Sequence, residues 1–151
     1  RGPVALDLQG VLRCSEGGTF AFRDWDEKAR YLPLVSFLKA DSLESEVMAG
    51  TSDREEAARI LHGLGAREVV ITHSSEVIAY DGSRAPFTPR NLTGRTGRGD
   101  TCFASYLYWR RGHGVEESVR LAAALTSLKM ETPGPYRGTA EQALERAGLS
   151  G

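Results

Sequence analysis

Cysteine is scarce in this sequence. Cys14 and Cys102 are the only two, they lie far apart, and neither they nor His62, His73 and His113 show the paired spacing of a metal cluster, so a structural zinc is not expected. Two free thiols suit a reducing compartment, and a cytoplasmic location is expected. No run of about 18 apolar residues occurs, so neither a spanning helix nor a membrane partner is expected. The opening Arg1-Gly2-Pro3-Val4 does not read as a secretion signal. Neither sign of charge dominates: 19 Lys and Arg against 20 Asp and Glu leave a net charge of -1. A general nucleic-acid binder would carry a basic surplus, so nucleic acid is not an expected partner. Internal repeats and low-complexity linkers are absent as well.

What is present suffices for one compact domain over residues 1–151, with 40% hydrophobic and 26% charged residues in the ordinary range for a globular chain. Arginine is frequent after position 84 (Arg84, Arg90, Arg95, Arg98, Arg110, Arg111). Such a set could attract a small polyanion, although charge alone favours a solvated basic surface.

Apolar runs over Val4–Leu8, Val35–Ala40 and Glu68–Thr72 predict buried strands, the first closing on a loop at Gln9-Gly10. Phe20–Arg23 predicts a small edge strand. Asp24 is the expected N-cap of a helix from Trp25 towards Leu32, interrupted by Pro33. A short helix over Ser42–Ala49 should stop at Gly50. Thr51-Ser52-Asp53 should cap an amphipathic helix burying Ala57, Ile60, Leu61 and Leu64. Val77–Tyr80 and Ala85–Thr88, separated by Asp81-Gly82-Ser83, predict a hairpin. Helices follow over Asp100–Arg111, Val115 to about Lys129, and Thr139–Ala147. Strands alternating with helices predict an α/β fold around a parallel sheet, with ligands outside the carboxyl ends of its strands.

The most informative segment is Thr93-Gly94-Arg95-Thr96-Gly97-Arg98-Gly99-Asp100-Thr101-Cys102-Phe103. Its glycines let backbone N–H groups converge before a helix whose first N–H groups lack internal partners, a combination suited to phosphate. Asp100 could be a plain helix cap. It could equally accept a hydroxyl proton during attack on a γ-phosphate, with the donors of Gly97, Arg98 and Gly99 stabilising the transferred group.

Gly97-Arg98-Gly99-Asp100-Thr101-Cys102-Phe103 resembles the Gly-Ala-Gly-Asp-x-Phe signature of ribokinase-like (PfkB) carbohydrate kinases. Gly94-Arg95 stands where that family has Asp-Thr, and Arg98 replaces its small Ala. Asp41-Ser42-Leu43-Glu44 is similar to the family's Asn-x-x-Glu segment, Thr72 and the hairpin after it to the nucleotide-side strands, and Gly112–Ala124 to the helix beside adenine. Thr132-Pro133-Gly134 matches its closing turn, and Asp7-Leu8-Gln9-Gly10 a strand end of some members.

The resemblance implies a three-layer α/β/α ribokinase-like (Rossmann-like) fold and an ATP- and Mg2+-dependent kinase acting on a sugar or related polyol. It implies Asp100 as base, Gly97, Arg98 and Gly99 as the anion hole, and Glu44 with Asp41 ordering the metal through water. Thr72, Ser74 and Ala123 fall on the nucleotide side. Both glycines of the family's Thr-x-Gly-x-x-Gly loop are absent after Thr72, and Ala123 replaces an Asn. Family members are about twice this length. The chain is therefore expected to be the C-terminal nucleotide-binding portion, truncated on its N-terminal side and inactive alone. A sheet cut midway would expose an apolar edge that favours pairing, for instance as a homodimer.

Two other readings remain. A non-catalytic nucleotide sensor on the kinase scaffold would account for the missing loop glycines. A haloacid-dehalogenase-type phosphatase would use Asp7 as nucleophile, because Val4–Leu12 is similar to Asp-x-Asp-Gly-x-Leu, but Gln9 stands where the second acid is needed.

Overall fold

The computed structural model describes residues 2–150, so both ends of the expected 1–151 domain lie outside the described residues. The chain forms two compact units. The first holds the chain through Thr72 together with Ile78–Gly82, and the second holds His73–Val77 and the chain from Ser83 onward.

In the first unit, strand β1 (Ala5–Asp7) leads into a single helical turn, α1 (Gln9–Leu12), then an antiparallel ribbon of β2 (Arg13–Glu16) and β3 (Thr19–Phe22). A second short turn, α2 (Lys28–Tyr31), passes into a 3-10 turn over Leu32–Leu34. Then come β4 (Phe37–Asp41), α3 (Ser42–Ala49), α4 (Arg54–Gly63) and β5 (Glu68–Thr72). Strands β1, β4 and β5 pair in parallel, with Leu6 opposite Leu38 and Leu38 opposite Val69.

The local chemistry explains these elements. The β-branched run of β5 is buried at every position, as a strand covered on both faces must be. Helix α3 ends on Gly50, whose φ of 73° is open to glycine at little cost. Helix α4 starts on Asp53, whose carboxylate accepts the N–H groups of Glu55 and Glu56 at 2.9 and 3.1 Å. Ala57, Ala58 and Leu61 carry its buried stripe against Leu38, Met48 and Ile71 in one core.

Strand β6 (Glu76–Ala79) is shared by the two units, and β7 (Arg84–Pro86) belongs to the second. The hydrogen-bonded order of the main sheet is β1-β4-β5-β6-β7. The second unit continues with α5 (Arg98–Trp109), α6 (Val115–Met130) and α7 (Ala140–Ala147). Cys102, Phe103 and Tyr106 of α5 and Val119, Ala122 and Met130 of α6 are buried. Thr139 caps α7, receiving Gln142 N–H while Gln142 Oε1 receives that of Thr139.

Four local expectations are corrected. The first strand is only partly buried: Leu8 just after it is fully buried, but Val4 just before it is 47% exposed and Ala5 is exposed, because β1 ends the strand order beside β4. Gln9-Gly10 is the start of α1 rather than a loop. Asp24 caps no helix, since the chain turns helical only at Lys28 and the Asp24 carboxylate takes Trp25 N–H and Lys28 Nζ instead. Helix α5 begins at Arg98, two residues before the expected Asp100. Its left-handed cap at Gly97 lets the helix start inside the glycine-rich stretch.

Leu61 is fully buried, so Leu61→Ala is expected to destabilise the protein by about 2–5 kcal/mol, the range for emptying a core leucine site. Urea denaturation should show a lower midpoint with an unchanged slope, whereas an unshifted midpoint would mean that this stripe holds nothing together.

Candidate functional site

The glycine-rich turn lies in the second unit. Gly97 is the N-cap of α5 at φ 78°, a left-handed conformation that costs a side-chain-bearing residue dearly. Its carbonyl accepts Thr101 N–H at 3.0 Å, which closes the first helical turn. The N–H groups of Arg98, Gly99 and Asp100 therefore have no carbonyl one turn earlier to bond, and the helix dipole adds positive potential there. Arg98 is half-buried with its guanidinium carbon 5.9 Å from the Phe87 ring centroid.

Asp100 occupies the third helical position, so it is not the cap, which removes the plainer of its two readings. It is exposed, and its carboxylate has no partner among the described residues. Taken alone, this turn can receive an anion on its N–H groups beside an unpaired carboxylate.

The second group of candidates lies in the first unit, at the carboxyl end of β4. Asp41 and Glu44 form a capping box: Glu44 N–H donates to Asp41 Oδ1 at 2.8 Å and Asp41 N–H to Glu44 Oε2 at 2.7 Å. Glu44 is fully buried and its Oε1 has no hydrogen-bond partner. Burial pushes the Glu44 carboxyl up from its ordinary value, against the lowering pull of the Asp41 N–H and the Lys39 charge. Lys39 Nζ lies 3.8 Å from Glu44 Oε2 and 3.0 Å from Asp7 Oδ2. Asp7 is thus committed to Lys39 and, through Oδ1, to Gln9 N–H at 3.0 Å. Gln9 stands where a phosphatase of that type needs its second acid, so a phosphatase built on Asp7 is not favoured. Among the described residues no three His, Cys, Asp or Glu side chains come together as a metal cluster.

The nucleotide-side candidates have varied surroundings. Thr72 is buried, its hydroxyl 3.5 Å from the Ala40 carbonyl. Ser74 is exposed, and its hydroxyl meets the His73 ring at 3.2 Å to Nδ1. Ala123 is 2% exposed. It lines a cavity of about 210 Å³ with Pro86, Thr88, Arg120, Arg146 and others. Arg146 donates to the Thr88 carbonyl and reaches Glu131 Oε1 at 3.3 Å, so a cation spans this part of the second unit.

Sequence reasoning missed Lys39, Lys129 and Arg146. Lys39 stands inside an apolar strand, and Lys129 falls seven residues after Ala122 on the buried face of α6. A lysine at an apolar position was the available signal, but a sequence pattern does not name the partner that satisfies it.

The model of the pfkB family carbohydrate kinases matches residues 20–142 of this chain. A cytidine kinase of Thermococcus kodakarensis is 41% identical over 94 residues, covering 58% of this chain and 34% of that protein. Among solved structures, a pyrophosphate-dependent myo-inositol-1 kinase converted into a myo-inositol-3 kinase superposes with a TM-score of 0.85 at 39% identity. It covers 97% of this chain and 53% of its own. Ribokinase of Arabidopsis thaliana, complexed with ribose and ATP, superposes with a TM-score of 0.65 at 22% identity, covering 98% of this chain and 48% of its own. That last likeness speaks to the fold alone, which is ribokinase-like. The chain spans about a third of the cytidine kinase and about half of the solved structures.

Because folding raises the Glu44 pKa, this group favours the folded state while protonated, and that contribution is lost as pH rises through its folded value. Glu44→Gln should therefore stabilise the protein relative to wild type at about pH 8, with the advantage shrinking towards about pH 4. Paired urea denaturation series would read this, and a difference that does not change with pH would contradict it.

Proposed function

The chain belongs to the pfkB family of carbohydrate kinases, and from that premise we propose that it is the C-terminal, nucleotide-binding portion of an enzyme phosphorylating a hydroxyl of a sugar or related polyol. The observation that carries the reading is the start of α5: an N-cap glycine at φ 78°, first-turn N–H groups with no helical carbonyl to bond, and a carboxylate at the third position that is unpaired among the described residues. Asp100 takes the proton of the attacking hydroxyl. The N–H groups from Gly97 to Asp100, with the Arg98 side chain, receive the negative charge of the transferred phosphoryl group.

Thr72, Ser74 and Ala123 mark the donor's far side. The donor is ATP with magnesium, which when bound would neutralise charge on the transferring phosphate. Asp41 and Glu44 would order that ion through water. A buried oxygen without a partner on Glu44 fits a hard cation that keeps most of its own waters. The reaction belongs in the cytoplasm, in keeping with two free cysteines.

A second reading of the donor has its own support. The cavity beside Ala123, at about 210 Å³, is smaller than the roughly 300 Å³ at which small-molecule sites begin. Arg146 spans its neighbourhood. A donor without a nucleoside, pyrophosphate, would not need that space, and the relative at 39% identity is a pyrophosphate-dependent kinase.

Two measurements on the full-length protein test these readings. Asp100→Asn should lower kcat by about 10²–10⁴-fold with the donor KM little changed; near-normal turnover would refute the assignment. Wild-type protein that binds donor, transfers phosphate to no sugar or polyol, and binds equally well as Asp100→Asn would be a sensor. Supplying ATP and pyrophosphate separately to the same acceptors selects the donor: turnover with ATP alone supports the first reading, and turnover with pyrophosphate alone the second.

A further inference from the structure

Lys129 is a buried cation with no acid to balance it among the described residues. It stands near the end of α6, 3% exposed. Its Nζ donates to the Gly94 carbonyl at 2.6 Å and to that of Thr96. Among the described residues it makes no ion pair. An ammonium has three hydrogens to donate, and the carbonyls account for two. Its Cε lies 4.0 Å from where a Cβ on Gly97 would be, so the charged stem runs directly beneath the left-handed glycine that opens α5.

The same segment is fastened at two further points. Gly94 N–H donates to the Met130 carbonyl at 2.8 Å, and Thr93 Oγ1 to the Glu131 carbonyl at 2.7 Å. Gly94 sits so close that a Cβ there would be 1.8 Å from the Thr132 carbonyl oxygen. The carbonyls of 94 and 96 are thereby turned inward onto the ammonium. Burying an ammonium without a carboxylate is costly, and the carbonyls of residues 94 and 96 offset only part of that cost. A polyanion arriving above the turn would offset the rest.

We propose that Lys129 is a positioning residue for the polyphosphate donor. It ties residues 93–97 to the end of α6, which fixes Gly97 as the cap of α5. Its unneutralised charge also favours the donor polyanion without touching it. This inference rests on the reading that the α5 turn holds the donor's phosphate.

The test uses the full-length protein with ATP and with sodium pyrophosphate. Lys129→Met removes charge and hydrogen bonds together, whereas Lys129→Gln removes the charge and keeps an N–H donor, on a side chain one atom shorter. Both variants should raise the donor KM by about tenfold, the order expected for losing one charge near a phosphate away from bulk water. The acceptor KM should stay within about twofold, and the rise in Tm that donor gives wild type should shrink. If Lys129→Met does not fold, Lys129→Gln decides. A Gln variant with wild-type donor KM and donor-induced Tm shift would overturn the role of the charge. A Lys129→Met variant with both unchanged would overturn the whole inference. Wild-type protein that neither binds nor uses either donor would overturn the underlying reading and this inference with it; a normal wild type beside unaffected variants would overturn the inference alone.

Discussion

A helix that starts on a left-handed glycine must leave its first N–H groups unbonded, and the chemistry proposed for this chain depends on that constraint. At Gly97 the backbone turns at φ 78° and α5 follows at once. The N–H groups of the next residues then point where no carbonyl of the helix can reach. A side chain at 97 would be strained, and a cap with its own carboxylate would occupy those donors. The sequence supplies neither, and sets Asp100 one turn in, with its carboxylate free of partners among the described residues. An anion is the natural complement of such a turn.

The surrounding second unit holds this turn from below. Helix α6 ends where the glycine-rich segment docks, and Thr93, Gly94 and Lys129 fasten the two. In the first unit an analogous economy appears at the end of β4. Strand register sets Asp7 opposite Lys39, and the capping box sets Glu44 beside Asp41. Parallel pairing thus brings one lysine and three carboxylates to neighbouring strand ends, the side of an α/β sheet where ligands gather.

Much of this was legible in the sequence. The Val69-Val70-Ile71 run, the Asp53 cap and the stop at Gly50 fixed β5, α4 and α3 because each signal is local. The strand β2 was not foreseen, since Arg13-Cys14-Ser15 has no apolar rhythm and exists by pairing with β3. The start of α5 was read two residues late, because glycine weakens a helical pattern unless it serves as the cap. The glycine-rich turn proposed to hold phosphate stood out through a short contiguous motif. Lys39, Lys129 and Arg146 did not, because what each one satisfies lies on another element. Asp24 shows the converse: a good capping residue takes another partner when the following segment turns helical only at Lys28.

The central claim is that the N–H groups of Arg98, Gly99 and Asp100 receive the donor's phosphate. Backbone amide NMR of the full-length protein, titrated with ATP and with pyrophosphate, tests it most directly. Large, saturable shifts of those three amide resonances are expected with the donor that supports turnover. Donor binding that saturates while those resonances stay still would contradict it.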